Sequence, residues 1–273
     1  MNPSPVHRLR FHHGLGDILM FRNVIRMLDA DIQLYLNPDL GQSGIFFNDP
    51  QVSVLAAPEQ SGLRNIQFSL EFSRECTSGP AIKPRICAEH EFGLIRPDYK
   101  FRPLPLSHLD AMDTPAVAAT HTFLANLGPY LVCHFQGTSN RNQQNPPLEF
   151  AQKSVERMRQ LGWGVVVINY DYVFHHPENV DFPFVDHDQV RSTFRRLPME
   201  VESLWTLIRG ASAFFGVDSG PLHLALCSSV PTTYINQNTR FFDSFYDEGL
   251  DALKEVRASD HDTIPFDLIP TLP

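Results

Sequence analysis

The chain has 273 residues, 42% of them apolar and 19% charged, a globular composition able to bury one large or two modest cores and unlike that of a disordered or fibrous chain. Its formal net charge of −9, with no run of Lys or Arg, argues against a nucleic-acid binder, because neutralising phosphates takes clustered cations. Cys76, Cys87, Cys133 and Cys227 lack any C-x-x-C spacing and read as reduced thiols rather than a disulfide frame or a zinc site.

Residues 1–5 lack the basic-then-apolar order of a signal peptide, and no apolar stretch approaches the ~20 residues of a membrane span. The expectation is a cytoplasmic protein whose membrane contact, where it has one, is peripheral.

In chain order, residues 8–12 read as a strand and 18–28 as a helix, with Ile18, Phe21, Ile25 and Leu28 on one stripe and Arg22 and Arg26 together on another side. Residues 32–36, closed by Asn37-Pro38, give a second strand, and 52–56 and 65–70 two more. Residues 83–105 carry four prolines and little periodicity; with the acidic segment around Asp110 and Asp113 they read as a linker, followed by a helix over 115–127.

The second half alternates more cleanly. Strand 130–135 leads through a polar loop, 136–147, to an amphipathic helix, 148–161. Residues 164–169 are β-branched, as in a strand buried on both faces of a parallel sheet. Helix 200–210 has Val201, Leu204, Trp205 and Ile208 on its apolar side, and strand 213–217, helix 221–228 and strand 232–235 follow. This alternation predicts doubly wound α/β units that bind ligands beyond the carboxyl ends of their strands.

Three loops at such ends carry chemistry. In Gly216-Val217-Asp218-Ser219-Gly220-Pro221-Leu222-His223, Ser219 suits an N-cap, Gly220 allows close backbone approach and Pro221 suits the first helical position, leaving free N–H groups as an anion site. His223, four residues after Ser219, shares its helix face, and the alternative is a well-capped helix with Asp218 structural and His223 semi-buried. In His12-His13-Gly14-Leu15-Gly16-Asp17, two glycines permit a tight turn; Leu19 excludes a dinucleotide fingerprint, and Asp17 reads as a functional carboxylate or as an N-cap. Gln136-Gly137-Thr138-Ser139-Asn140-Arg141 offers the short donors and one guanidinium that phosphate oxygens need.

These motifs, with 88-Ala-Glu-His-Glu-Phe-Gly-Leu-94 between them and Pro129-Tyr130-Leu131-Val132-Cys133-His134 before Gly137, run in the order found in the lipopolysaccharide heptosyltransferases, glycosyltransferase family 9, which the chain resembles over most of its length. The resemblance implies a GT-B architecture: two Rossmann-like domains with parallel sheets facing an interdomain cleft. Residues 1–114 would form a shortened acceptor-side domain and 115–273 the nucleotide-sugar domain.

It further implies an inverting, metal-independent transfer of a heptose or other hexose-like sugar from a nucleoside-diphosphate donor to a glycan or lipopolysaccharide-type acceptor. Asp17 would be the base. Gly16, Thr138, Ser139, Arg141, Asp218, Ser219, Gly220 and His223 would serve the donor, with Asp171 near its nucleoside. The lysine that family members carry in the second domain is replaced by Gln143, Gln144 and Asn145, leaving Arg141 as the nearby cation.

No cofactor is expected. The Asp-x-Asp spacing at Asp260 and Asp262 reads as surface, and adjacent histidines such as His12-His13 and His175-His176 point to opposite faces, so a metal-clamped diphosphate is not expected either. Two other readings stay open: a binding module that holds a nucleotide or glycan without turnover, and an aspartate-nucleophile α/β-hydrolase built on Gly216-x-Asp218-x-Gly220, for which too little chain follows Asp218.

Overall fold

A computed structural model describes residues 5–38, 41–56, 62–68, 76–125, 127–135, 137, 145–168, 200–236 and 245–273. The chain divides into two compact units, Met1–Leu104 with Phe241–Asp251, and Pro105–Arg240 with Ala252–Pro273. Among the described residues no helix is long and apolar enough to cross a membrane.

In the first unit, strand β1 (Val6–Phe11) leads into helix α1 (Leu15–Met27) and then β2 (Asp31–Leu36), β3 (Val52–Val54) and β4 (Arg64–Asn65). The sheet order is β3-β2-β1-β4, all parallel, with Leu9 opposite Leu34 and Arg64. Because β1 is flanked by β2 on one side and β4 on the other, its carboxyl end is the sheet's topological switch point. Ile18, Phe21, Val24 and Ile25 of α1 are buried together with Phe11 and Leu34, as the apolar stripe requires. Helix α1 starts three residues earlier than its periodicity shows, at Leu15, because Gly14 caps it in extended conformation. Arg22 is buried rather than surface-facing: its guanidinium donates to the Leu104 carbonyl at 2.8 Å.

The stretch expected to be a linker opens instead as helix α2 (Lys83–Phe92), with Pro84 in its first turn, where a missing N–H costs nothing. Pro84, Arg85, Ile86, Cys87 and Ala88 are all buried, so no 3.6-residue alternation marks the helix. Gly93 ends it at φ 64°, a left-handed position open to glycine, and the Leu94 N–H closes on the Ala88 carbonyl at 3.0 Å. The extended segment beyond α2 is fastened to α1: Asn23 donates to the Arg102 carbonyl at 3.0 Å and accepts from its N–H at 3.2 Å.

The return segment docks on this unit through a buried ion pair, Arg85 Nη2 to Asp247 Oδ2 at 2.6 Å, with the guanidinium 5.1 Å over the Phe101 ring. Asp247 also accepts from the Phe101 N–H at 3.1 Å, and its own N–H donates to the Phe101 carbonyl at 2.8 Å.

The second unit contains α3 (Pro115–Ala125), β5 (Tyr130–His134), α4 (Leu148–Gln160), β6 (Gly164–Val167), α5 (Val201–Arg209), β7 (Ala213–Gly216), α6 (Gly220–Ser228), β8 (Thr232–Asn236) and β9 (Lys254–Arg257). Its sheet is parallel in the order β6-β5-β7-β8-β9. Every residue of β5, β7 and β8 is buried, as expected where helices cover both faces. The acidic segment around Asp110 is a 3₁₀ turn, Ser107–Ala111, and Asp110 accepts from the Trp205 indole at 2.7 Å. Here the switch point lies where β5 sits between β6 and β7.

Candidate functional site

At the first switch point the chain passes from β1 through His12, His13 and Gly14 into α1. Asp17 is the third residue of that helix, not its N-cap. Gly14 has ordinary extended geometry (φ −66°, ψ 172°) and a Cβ there would meet nothing within 4 Å. No strained turn demands glycine, and its absent side chain leaves open space at the helix mouth.

The Asp17 carboxylate is bracketed. Its Oδ1 takes a short hydrogen bond from Lys83 Nζ, and its Oδ2 lies 3.8 Å from His13 Nδ1. The three side chains are 16–28% exposed, open enough for a ligand to reach them. Beneath them is an aromatic floor. Lys83 Nζ sits 5.2 Å from the centroid of the buried Phe68 ring, and the His13 ring lies 4.7 Å from Phe11 and 6.2 Å from Phe68. Phe11 in turn stacks on Phe21 at 4.5 Å. His12 turns the other way, its ring 5.4 Å from Tyr35, and burial together with the charges of Arg10 and His13 lowers its pKa.

At the second switch point, Gly137 and Asp218 meet. A Cβ on Gly137 would lie 2.9 Å from the Asp218 carbonyl oxygen, so the loops after β5 and β7 touch only because residue 137 has no side chain. Asn145, one of the three residues standing in place of a lysine, has a role of its own: its Oδ1 accepts from the Gly137 N–H at 2.8 Å and ties the two ends of the polar loop.

Ser219 stands at the N-cap of α6, but its hydroxyl donates to the Val217 carbonyl at 3.0 Å instead of capping. The helix begins at Gly220, which makes Pro221 its second residue rather than its first. The first N–H groups of a helix have no partner within it, and the start of α6 carries the positive end of its dipole. His223 is 2% exposed, and its Nε2 lies 3.5 Å from Asp218 Oδ1, so it reaches this surface through Asp218. Burial, with the Asp218 and Glu255 carboxylates, pushes the Tyr234 phenol up. At the end of β5, His134 is fully buried with Nδ1 2.9 Å from the Ile168 carbonyl; burial takes its pKa down to about 4, against the opposing pull of that carbonyl.

Thr138, Ser139, Arg141 and Asp171 lie outside the described residues, as does the pair His175-His176. The Asp-x-Asp spacing recurs at Asp29 and Asp31, where β2 begins, at the end of the sheet away from Asp17, and at residues 186–188, outside the described residues. Among the described residues no three His, Cys, Asp or Glu gather as a metal-ligand cluster. Lys83 is the residue that sequence reasoning missed, since its partner lies 66 positions away and its helix was unread.

Two parallel α/β sheets, each with a polar loop at its switch point, define the class: the fold of the GT-B-type glycosyltransferases. No protein-family model matches the chain, and no curated protein matches it. Solved structures do, and their particular likeness is to heptosyltransferases. A glycosyltransferase family 9 protein from Veillonella parvula superimposes with a TM-score of 0.62 over 94% of this chain and 88% of its own, at 12% identity. The ADP-heptose lipopolysaccharide heptosyltransferase II of E. coli gives 0.61 over 92% and 90%, at 11%. TibC, a dodecameric iron-containing heptosyltransferase solved with ADP-D-β-D-heptose, gives 0.56 at 18% identity over 87% of this chain. The chain spans 59% of TibC's length.

Proposed function

We propose that this chain is an inverting, metal-independent glycosyltransferase that moves a heptose or similar sugar from a nucleoside-diphosphate donor to a glycan or lipopolysaccharide-type acceptor. In this reading it works in the cytoplasm and meets a membrane-borne acceptor peripherally.

The acceptor hydroxyl binds at the open mouth of α1. As its oxygen attacks the anomeric carbon, the Asp17 carboxylate takes the proton and the bond from that carbon to the diphosphate breaks. Attack from the side opposite the leaving group inverts the anomeric configuration. The departing diphosphate is met by the N–H groups at Ser219 and Gly220, the positive end of α6, the donors of Thr138 and Ser139, and Arg141. Gly16 lines the same mouth as Asp17, His223 steadies Asp218, and Asp171 contacts the nucleoside.

The observation that carries this reading is the standing of Asp17 and Asp218 at the switch points of two sheets whose fold heptosyltransferases share. The test is a panel of ADP, GDP, UDP, CDP and dTDP in thermal denaturation. At a hundred times its Kd the right nucleotide adds about 2.7 kcal/mol of stability, and a flat response to all five overturns the donor site. Asp17→Asn is expected to lower turnover by ~10²–10⁴-fold while keeping the nucleotide shift; full activity in that variant removes Asp17 as the base.

A further inference from the structure

We propose that Lys83 is the positioning residue for the Asp17 carboxylate, a role that rests on the reading of Asp17 as the base. Lys83 is the first residue of α2, where the helix dipole disfavours a cation. Helix stability therefore does not account for a lysine here. Its ammonium is held from two sides, by the face of the buried Phe68 ring and by Asp17 Oδ1, so both ends of the contact are anchored on packed elements. A lysine bound in this way fixes the carboxylate's rotation and occupies one of its two oxygens.

The other oxygen, Oδ2, faces His13. His13 Nε2 donates to the Ile66 carbonyl at 3.1 Å, which can only accept; this fixes the ring, and Nδ1 stands 3.8 Å from Oδ2. That separation is beyond hydrogen-bond reach, so Oδ2 takes no hydrogen bond from His13. The geometry thus sorts the two oxygens. Oδ1 is the anchored one, and Oδ2 is the oxygen offered to an acceptor hydroxyl.

The experiment is steady-state kinetics of the full chain with saturating donor and varied acceptor, for Lys83→Met, Lys83→Arg and Asp17→Asn. Lys83→Met keeps the stem on Phe68 and removes only the charge; it is expected to lower kcat by ~10–100-fold, leaving the acceptor KM, the nucleotide-induced thermal shift and the melting temperature close to wild type. Lys83→Arg, which still donates to Oδ1, is expected to recover most of the rate. Wild-type kcat in Lys83→Met overturns the proposal, as does a raised acceptor KM at unchanged kcat, which would make Lys83 an acceptor-binding residue. Should Lys83→Met melt early, Lys83→Gln is read by the same two criteria. Failure here with Asp17→Asn still inactive leaves the base assignment standing, whereas an active Asp17→Asn removes both.

Discussion

The two switch points are built from different materials. In the first unit the polar groups are side chains: one carboxylate, hydrogen-bonded by a lysine and flanked by a histidine, both resting on packed phenyl rings. In the second the backbone dominates, with a helix start, a glycine pressed against a carbonyl, and a serine hydroxyl turned inward to Val217. Proton transfer concerns one atom and needs a single group held at one angle. A diphosphate spreads its charge over several oxygens, and an array of N–H groups matches that spread. The surroundings differ in the same way, for a buried ion pair secures the first unit, whereas in the second burial shifts two ionisable groups, His134 and Glu202, toward their neutral forms.

The largest expected effect tests that last contrast. Arg85→Ala leaves Asp247 buried without its cation and is expected to cost about 3–5 kcal/mol. Calorimetry should show the loss in the transition of the first unit alone; an equal shift in both transitions would mean that the units do not unfold separately.

In the second unit His134 titrates near 4 when folded against an ordinary 6.5. Between these values the unfolded chain binds a proton that the folded chain does not, so stability falls as pH drops through that window, by roughly 3 kcal/mol in all. His134→Gln is expected to flatten this slope in denaturant titrations at pH 4 to 7.

Next in size, Gly137→Ala forces apart the two loops at the second switch point. Nucleotide affinity is expected to fall by about tenfold, near 1.4 kcal/mol, with the melting temperature of the first unit unmoved. Unchanged affinity by calorimetric titration would break the claim that the touching loops make the donor surface.

The smallest effect concerns Glu202, which burial and a hydrogen bond with Glu200 push up to about 7 from an ordinary 4.5. The folded chain then keeps a proton that the unfolded chain has released, so stability falls as pH rises from 4.5 to 7. Glu202→Gln is expected to flatten this slope, whose sign is opposite to that of His134, in the same denaturant titrations.

How much could be read from the residues alone depended on how one-sided each element is. Helix α1 is buried without a break from Ile18 to Ile25 but is mostly apolar and free of proline, and β7 and α6 are joined by Asp218 and Ser219 in a turn with its own chemistry, so these were legible, apart from the direction in which the Ser219 hydroxyl points. Helix α2 was not. Its buried run includes a charged residue, Arg85, where the pattern would need an apolar one, and Pro84, in its first turn, reads as a breaker. Strand β9 buries only Val256 and carries no alternation strong enough to notice, and β4 is two residues long. The pairing of Lys83 with Asp17 has no local signature at all, because it joins an unread helix to a distant loop.

The docking of Asp247 on Arg85 has a consequence for how the molecule is made. The first unit is discontinuous along the chain, and the strip that completes it, Phe241–Asp251, follows most of the second unit. A nascent chain leaving the ribosome therefore exposes an unneutralised guanidinium until Asp247, 162 residues further on, has emerged. For the same reason a cassette cut after Leu104 would be short of a wall, and any chimera that borrows this half must carry the distal strip with it.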